Sequence, residues 1–130
     1  MKAYKGKINK KISVRLVDEA EKAFKSLNEI VDKQHRKGIK SSKEITLSGA
    51  INKLFDIISC NPFYGENAKK SLIPKEYIQK YDADNLFIAD LPDYWRMIYT
   101  IESDEIEIIA FVLDIINHKE YDKKFKYRKK

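Results

Sequence analysis

Two strongly apolar runs on either side of a polar turn, in the stretch YWRMIYTIESDEIEIIAFVLDII, constrain the fold more than any other feature of the chain. The runs, residues 94–101 and 105–116, are rich in the β-branched and aromatic residues that favour strands. The polar residues between them centre a turn near Ser103, which predicts an antiparallel hairpin with Arg96 opposite residue 110. On the first run Trp95 and Tyr99 share one face, which we assign to the core, and Arg96 lies on the other.

The first half of the chain has the spacing of two helices. The first helix begins at Asp18 and carries apolar residues at helical spacing. Acidic residues lie near its start and basic residues near its end, as the helix dipole favours, and Gly38 ends it. Ser41 and Glu44 fit the spacing of a capping box, so a second helix begins there. It ends at Asn61-Pro62, because proline disfavours helical geometry in the residue before it.

The remaining elements complete an α+β chain. Residues 7–17 alternate apolar and polar side chains, which predicts a half-buried strand, and residues 85–90 predict another strand before the hairpin. A short helix is expected over PKEYIQKY, and Asn117, with Glu120 three residues later, marks the start of a last one. The order is β-α-α-β-β-β-α. It predicts a single domain over residues 1–130, a small antiparallel sheet with the two amino-terminal helices packed on one face, a short carboxy-terminal helix and a basic tail over residues 124–130.

Composition narrows the classes of protein and site. No apolar run approaches the roughly 20 residues that a bilayer-spanning helix needs, so no membrane association is predicted. The single cysteine, Cys60, excludes an intramolecular disulfide framework and favours a cytoplasmic location. With two histidines and one cysteine far apart in the sequence, neither a metal site nor a cofactor is predicted.

Charge is strongly segregated along the chain. Residues 1–40 carry 12 Lys/Arg against 5 Asp/Glu, residues 41–116 carry 7 against 13, and residues 117–130 carry 7 against 2. Two basic ends around an acidic middle predict an anionic partner, either a nucleic acid or an acidic protein. The alternative interpretation is a solvated surface with lysine-rich ends.

A candidate phosphate site lies where the hairpin ends. If the chain turns back at Asn117, it can bring His118, Lys119 or Tyr121 near Arg96. Cations in the first turn of a helix oppose its dipole at a cost of about 0.3–1 kcal/mol each, but they suit the binding of a phosphate there. The alternatives are an exposed helix start and an Arg96 paired with an acid such as Asp114.

WRMIYTI, EIEIIAFVLDI and NHKEYDKKF, with NPFYGENAKKSL after the second helix, resemble the RelE/ParE superfamily of toxins from toxin–antitoxin pairs. The HKEYDK form is most similar to HigB-like members, and the order of elements is also that of the family. The resemblance implies a toxin that cleaves mRNA without a metal or cofactor, often on the translating ribosome, and whose partner is a cognate antitoxin. The 2′-hydroxyl attacks the adjacent phosphorus and the 5′-oxygen leaves.

The resemblance also implies roles for individual residues. Arg96 would clamp the phosphate, His118 would transfer a proton, and Tyr121 would stack on a base or orient the 2′-hydroxyl. The side chains expected to hold flanking phosphates are Lys119, Lys123, Arg128, Lys69 and Lys70.

Three other interpretations stay open. NLFIAD lacks the basic residues that many active members carry before the arginine strand, which leaves a ParE-like toxin acting on a topoisomerase, or a catalytically silent copy. The amino-terminal half resembles ribbon-helix-helix DNA-binding proteins, with Lys11, Ser13 and Arg15 facing the major groove. Finally, the lysine-rich ends alone fit an interaction module that binds an acidic partner without chemistry.

Overall fold

The structure, a computed structural model, describes residues 10–125. Its elements, in chain order, are β1 (Lys11–Leu16), α1 (Asp18–Arg36), α2 (Lys43–Cys60), β2 (Glu66–Asn67), a 3₁₀ turn (Lys70–Leu72), α3 (Lys75–Tyr81), β3 (Phe87–Leu91), a second 3₁₀ turn (Pro92–Tyr94), β4 (Trp95–Ser103), β5 (Glu107–Ile116) and α4 (His118–Phe125). The predicted α+β class is confirmed, and α3 corresponds to the short helix expected over PKEYIQKY. The two-residue strand β2 was not predicted. Parts of the predicted first strand and of the basic tail lie outside the described residues.

The two long helices follow their end signals closely. Acidic side chains occupy the first turn of α1 and basic ones its last turn, and Gly38, at φ +82°, ends it as predicted. The cap of α2 is one residue later than predicted: the Ser42 hydroxyl, not Ser41, accepts the Ile45 N–H at 3.0 Å. With the cap at Ser42, the third helical position is Ile45, so Glu44 is not placed to complete a capping box. Its carboxylate accepts a hydrogen bond from the Gln34 amide of α1.

The five strands form one sheet in the order β1-β5-β4-β3-β2. The predicted antiparallel pairing is correct for β3, β4 and β5, and the unpredicted β2 is also antiparallel to β3. Strand β1, however, runs parallel to β5, so the sheet is mixed. The reason is topological. Strand β1 reaches β5 only after most of the chain has intervened, and such a long crossover permits the parallel direction that a short hairpin loop forbids.

The register of the β4–β5 hairpin differs from the predicted one. Arg96 lies opposite Ile116 rather than residue 110, because the turn is centred beyond Ser103. The Asp104 carboxylate accepts the N–H groups of Ile106 and Glu107, both at 2.8 Å, and this side-chain turn sets the register. As a result α4 begins two residues after the partner of Arg96.

The sheet has two differently covered faces. Met97 and Tyr99 of β4 pack with residues of α1 and α2 on what we call the α1/α2 face. Ile98, between them, packs with Tyr77 of α3 and Phe125 of α4 on the opposite side, the α3/α4 face. The two amino-terminal helices therefore cover one face, as predicted, and α3 and α4 cover the other.

The predicted core positions of β4 are confirmed. Tyr99 is fully buried and Trp95 partly buried on the α1/α2 face. The Tyr99 hydroxyl donates to the Pro62 carbonyl and accepts the Gly65 N–H, each at 2.9 Å, which attaches the NPFYG loop to the sheet. A Cβ on Gly65 would stand 3.1 Å from both the Ile88 carbonyl oxygen and the Tyr99 hydroxyl, so this close approach requires glycine.

Candidate functional site

Arg96 lies on the α3/α4 face of β4, beside the start of α4. Its Nε is 3.2 Å from Asp90 Oδ1, directly across the strand pair, and its guanidinium carbon is 5.0 Å from the centre of the Tyr121 ring. The side chain is only 23% exposed. A cation this close to an aromatic face is held by the ring quadrupole as well as by the carboxylate. The partner acid is Asp90, and Asp114, suggested by the sequence, pairs elsewhere.

Asn117 turns the chain back, as its sequence signal predicts. The Asn117 side-chain oxygen accepts the Glu120 N–H at 3.0 Å, and α4 begins at His118. His118 and Tyr121 are three residues apart and so lie on the same side of the helix. The His118 ring also makes an edge contact with Tyr94, with 6.0 Å between the ring centres. Two contacts, Tyr94 with His118 and Arg96 with Tyr121, are thus placed side by side by the spacing of His118 and Tyr121 on α4. We call these four side chains the Arg96 row.

Aromatic packing and the ion pairs of Lys124 hold α4 on the sheet. Phe125 is buried, and its ring stacks on Tyr121 with centres 4.5 Å apart. Lys124 Nζ lies 2.6 Å from the Glu76 carboxylate of α3. These contacts anchor the carboxy-terminal half of α4. The positions of His118 and Tyr121 are therefore held by the whole helix and not only by its first turn.

A buried carboxylate lies beneath α4. Asp114 is 6% exposed and accepts the Tyr77 hydroxyl at 2.6 Å, with Lys124 Nζ 3.9 Å away. Burial raises the pKa of Asp114, although the Tyr77 hydrogen bond and the Lys124 charge oppose the increase. Burial and the same carboxylate raise the pKa of Tyr77 well above the ordinary value for tyrosine.

Lys124 responds to the same cluster of charges. Burial acts to lower the pKa of its ammonium group, but the hydrogen bond to Glu76 and the charge of Asp114 outweigh burial and raise it. The ammonium group therefore stays charged between the two carboxylates, and this polar cluster ties α3, β5 and α4 together.

The predicted RNA-binding lysines fall into two groups. Lys119 and Lys123 are exposed on α4 itself. Lys69 and Lys70 are exposed just before the segment 71–76, which faces α4 across a cavity of about 650 Å³. Arg128 lies outside the described residues.

The sequence did not identify two neighbours of Arg96. Asp90 was read only as the end of an apolar strand, and its pairing with Arg96 needed the β3–β4 register. Tyr94 was placed at the start of a strand, but it belongs to the turn before β4. The Pro92-Asp93 pair before it was the available signal for that turn.

A larger cavity, about 820 Å³, lies on the α1/α2 face. Leu27, Ile30, Leu47 and Trp95 are among its lining residues. Arg96, His118 and Tyr121 are not, so this cavity is separate from the Arg96 row.

Two of the three side chains that the ribbon-helix-helix interpretation assigns to DNA, Ser13 and Arg15, make contacts within this chain. The Ser13 hydroxyl donates to Glu107 at 2.8 Å, and Arg15 is 3.9 Å from the same carboxylate. Strand β1 itself pairs with β5 along one edge. DNA binding through Lys11, Ser13 and Arg15 stays a prediction.

Residues 10–125 contain neither a candidate metal-binding cluster nor a candidate membrane-spanning helix. Within this range, no group of three or more histidine, cysteine and acidic side chains is arranged to bind a metal ion. Over the same range, no helix combines the length and apolarity that crossing a bilayer requires.

Comparisons of this chain with models of protein families, with curated proteins and with solved structures found no match in any of the three.

Proposed function

We propose that this chain is the toxin of a type II toxin–antitoxin system, a RelE/HigB-like endoribonuclease that cleaves mRNA, with or without the translating ribosome. The observation that carries the proposal is the position of the Arg96 guanidinium, 5.0 Å from the Tyr121 ring and beside the helix that begins at His118. A partly buried arginine, an exposed histidine and a tyrosine together supply the groups that phosphodiester cleavage needs.

The proposed reaction is an internal transesterification. The 2′-oxygen forms a bond to the adjacent phosphorus, the bond from phosphorus to the 5′-oxygen breaks, and the products are a 2′,3′-cyclic phosphate and a 5′-hydroxyl. One proton leaves the 2′-hydroxyl and one is delivered to the 5′-oxygen. Negative charge accumulates on the phosphorane oxygens, where a fixed cation stabilises the transition state most.

Each residue has a role that fits its position. The guanidinium of Arg96 has five N–H donors, more than its contacts with Asp90 and the Trp95 carbonyl use, and its fork suits phosphate oxygens. His118 is exposed at the helix start, where it can transfer a proton to or from the RNA. The Tyr121 ring holds the guanidinium in place.

The surrounding charges fit an anionic partner. Lys119 and Lys123 on α4, with Lys69 and Lys70 before α3, would bind flanking phosphates. The cognate antitoxin would bring acidic residues to the same basic end of the chain. The cavity on the α1/α2 face is not needed for the proposed reaction.

A second candidate is a toxin-fold protein that binds without cleaving. The ion pair between Asp90 and Arg96 favours it, because a carboxylate 3.2 Å from the clamp competes with a phosphate for the same donors. In this case Arg96 would contribute to binding or stability but not to catalysis.

Mapping of RNA cleavage by primer extension, with and without translating ribosomes, tests the proposal. We expect discrete cuts from the wild type, a loss of roughly 100- to 1000-fold in rate for Arg96→Ala, and little change for Arg15→Ala. Arg15 is a matched control because it is another strand arginine on the α3/α4 face: it lies opposite Phe111, which lies opposite Thr100. His118→Ala should also lose activity, with His35→Ala of α1 as its control.

Two results would contradict the nuclease. One is a folded wild type that makes no cuts under either condition, which would favour the second candidate. The other is an equal loss in Arg96→Ala and Arg15→Ala, which would place the chemistry outside the Arg96 row.

A further inference from the structure

The turn between β3 and β4 holds a tyrosine in a backbone conformation that favours glycine. The Trp95 N–H bonds the Pro92 carbonyl, and the two residues between them both have positive φ, +61° at Asp93 and +63° at Tyr94. Two central residues at positive φ characterise a type I′ hairpin turn, which strongly prefers Asn-Gly or Asp-Gly. Here tyrosine occupies the glycine position, so the backbone gives no reason for this side chain.

Burial gives no reason for Tyr94 either. The residue is 69% exposed, more than any other aromatic side chain within residues 10–125. Its ring contact is with His118, in an edge geometry with 68° between the ring planes. A large aromatic ring is thus held in solvent on a short turn, at the end of the Arg96 row.

Tyr94 lies among the kinds of side chain, aromatic and cationic, that form binding sites for single-stranded nucleic acids. His118 and Tyr121 lie one helical turn apart on α4, and the Arg96 guanidinium lies over Tyr121. Single-stranded RNA is bound by aromatic rings that stack on unpaired bases, next to cations that follow the phosphates. An exposed ring, one residue outside the strand that carries the phosphate clamp, supplies the first of these.

We propose that Tyr94 is a stacking platform for an unpaired nucleobase of single-stranded RNA, beside the phosphate that Arg96 holds. This base subsite rests on the proposed RNA-cleaving function, and it adds a binding residue that acts on the base and not on the reacting phosphate. The rigid turn keeps the ring in position before RNA arrives, which fits the tendency of strained backbone to occur at ligand clamps. Because every base has a flat face, the subsite should tolerate any base.

The test measures binding by fluorescence anisotropy with RNA that the proposed reaction cannot cleave. One labelled oligonucleotide is fully 2′-O-methylated and carries all its bases, and a second has the same length and charge but abasic central positions. We expect the wild type to bind the first about tenfold more tightly, Tyr94→Gly to lose that ratio, and Tyr94→Trp to keep it.

The Tyr94→Gly variant separates stacking from folding. Glycine suits a type I′ turn better than tyrosine does, so the melting temperature should not fall while the base preference disappears. Tyr64→Ala is the matched control, because Tyr64 is also an exposed tyrosine, 52% accessible in the loop after α2. It should keep the tenfold ratio.

Several outcomes would overturn the subsite: a preserved ratio in Tyr94→Gly, an equal loss in Tyr64→Ala, a wild type that binds the two oligonucleotides equally, or a Tyr94→Gly variant that weakens both by the same factor. The last result would mean that Tyr94 only supports α4. A wild type that shows the Tyr94-dependent ratio but never cleaves unmodified RNA would refute the nuclease and leave the subsite standing. Cleavage with a preserved ratio in Tyr94→Gly would do the reverse.

Discussion

Both faces of the sheet bury an apolar cluster and β4 contributes to both, but within residues 10–125 the buried polar residues, Thr100 and Asp114, lie on the α3/α4 face. On the α1/α2 face, Met97 and Tyr99 join an apolar cluster in which the Tyr99 hydroxyl is bonded to the loop after α2. On the α3/α4 face, Arg96 and Thr100 flank Ile98, and Asp114 is buried beneath α4. The first face concentrates the apolar packing that stabilises the fold, and the second holds the charged groups that are able to do chemistry.

The buried polar side chains of the α3/α4 face are stable because they are hydrogen-bonded. No side-chain nitrogen or oxygen that is buried within residues 10–125 lacks a hydrogen-bond partner. A shift of register between Ile98 and Tyr99 leaves Leu113 as an extra residue of β5, so that Leu113 packs on the α3/α4 face and Asp114 also reaches Tyr77 there. The bulge therefore gives this face its buried acid.

The largest contrast in stability should separate two adjacent residues of β4. Met97→Ala opens a cavity in the fully buried cluster and should lower the free energy of unfolding by about 2–5 kcal/mol. Arg96→Ala should cost less, about 1–2 kcal/mol, because its partner Asp90 is 85% exposed in its side chain and the contact with the Tyr121 ring adds a modest term. Urea unfolding measures both. Equal losses would mean that Arg96 is structural and that the comparison of the faces is wrong.

The next effect concerns the hydrogen bonds of Tyr99 on the α1/α2 face. Tyr99→Phe leaves the Gly65 N–H and the Pro62 carbonyl without their partner, which should cost about 1–3 kcal/mol. Burial raises the pKa of the Tyr99 hydroxyl to about 12, so the bonds persist through the neutral range. The exposed Tyr64→Phe is the control. A near-neutral Tyr99→Phe would mean that the loop is held by packing alone.

A pH series should detect the buried acid of the α3/α4 face. Because burial raises the pKa of Asp114 above its ordinary 3.8, the folded protein keeps this proton to higher pH than the unfolded chain. Its contribution to stability is fully present below about 3.8 and is lost as the pH rises through the raised value.

Asp114→Asn removes the titration, so the free energy of unfolding of the wild type should fall relative to that of the variant over this interval. Chemical unfolding at a series of pH values measures the difference. A difference that grows in the opposite direction would mean that Lys124 and Tyr77 outweigh burial.

The smallest expected effect tests the acid next to the clamp. Asp90→Asn removes the carboxylate that faces Arg96 and should raise RNA affinity severalfold, with a change in stability below about 1 kcal/mol. Glu29→Gln, which removes the same charge at an exposed position of α1, should leave RNA affinity nearly unchanged. Anisotropy with the 2′-O-methylated oligonucleotide measures both. Unchanged affinity in Asp90→Asn would show that the ion pair does not compete with phosphate.

Local signals made most elements predictable. The helix α1 begins at Asp18 and is ended by Gly38, and Asn117 caps α4, because caps and left-handed turns depend on a few adjacent residues. Ser41 and Ser42 could each cap α2 by their local sequence. Ser42 is the cap in the structure, and its hydroxyl also donates a hydrogen bond to Gln34 of the preceding helix. That contact is tertiary.

The candidate site was only half predictable. The sequence identified Arg96, His118 and Tyr121, and it stated that they meet only if the chain turns at Asn117. It placed Arg96 opposite the wrong residue of β5, since the Asp104 turn moved the β4–β5 register by several positions. It missed Asp90 for a different reason, because that pairing depends on the β3–β4 register. Tyr94 was missed because a tyrosine carries no signal for a type I′ turn.

By itself, the sequence determined the α+β class, the order of the long elements and the faces of β4, because alternation and helical spacing are properties of neighbouring residues. Tertiary structure alone decided the parallel β1–β5 pair, the placement of helices on both faces and the partners of Arg96. These depend on register and long-range burial, in which residues far apart in the chain compete for the same position, and no local pattern records which pairing has the lower free energy.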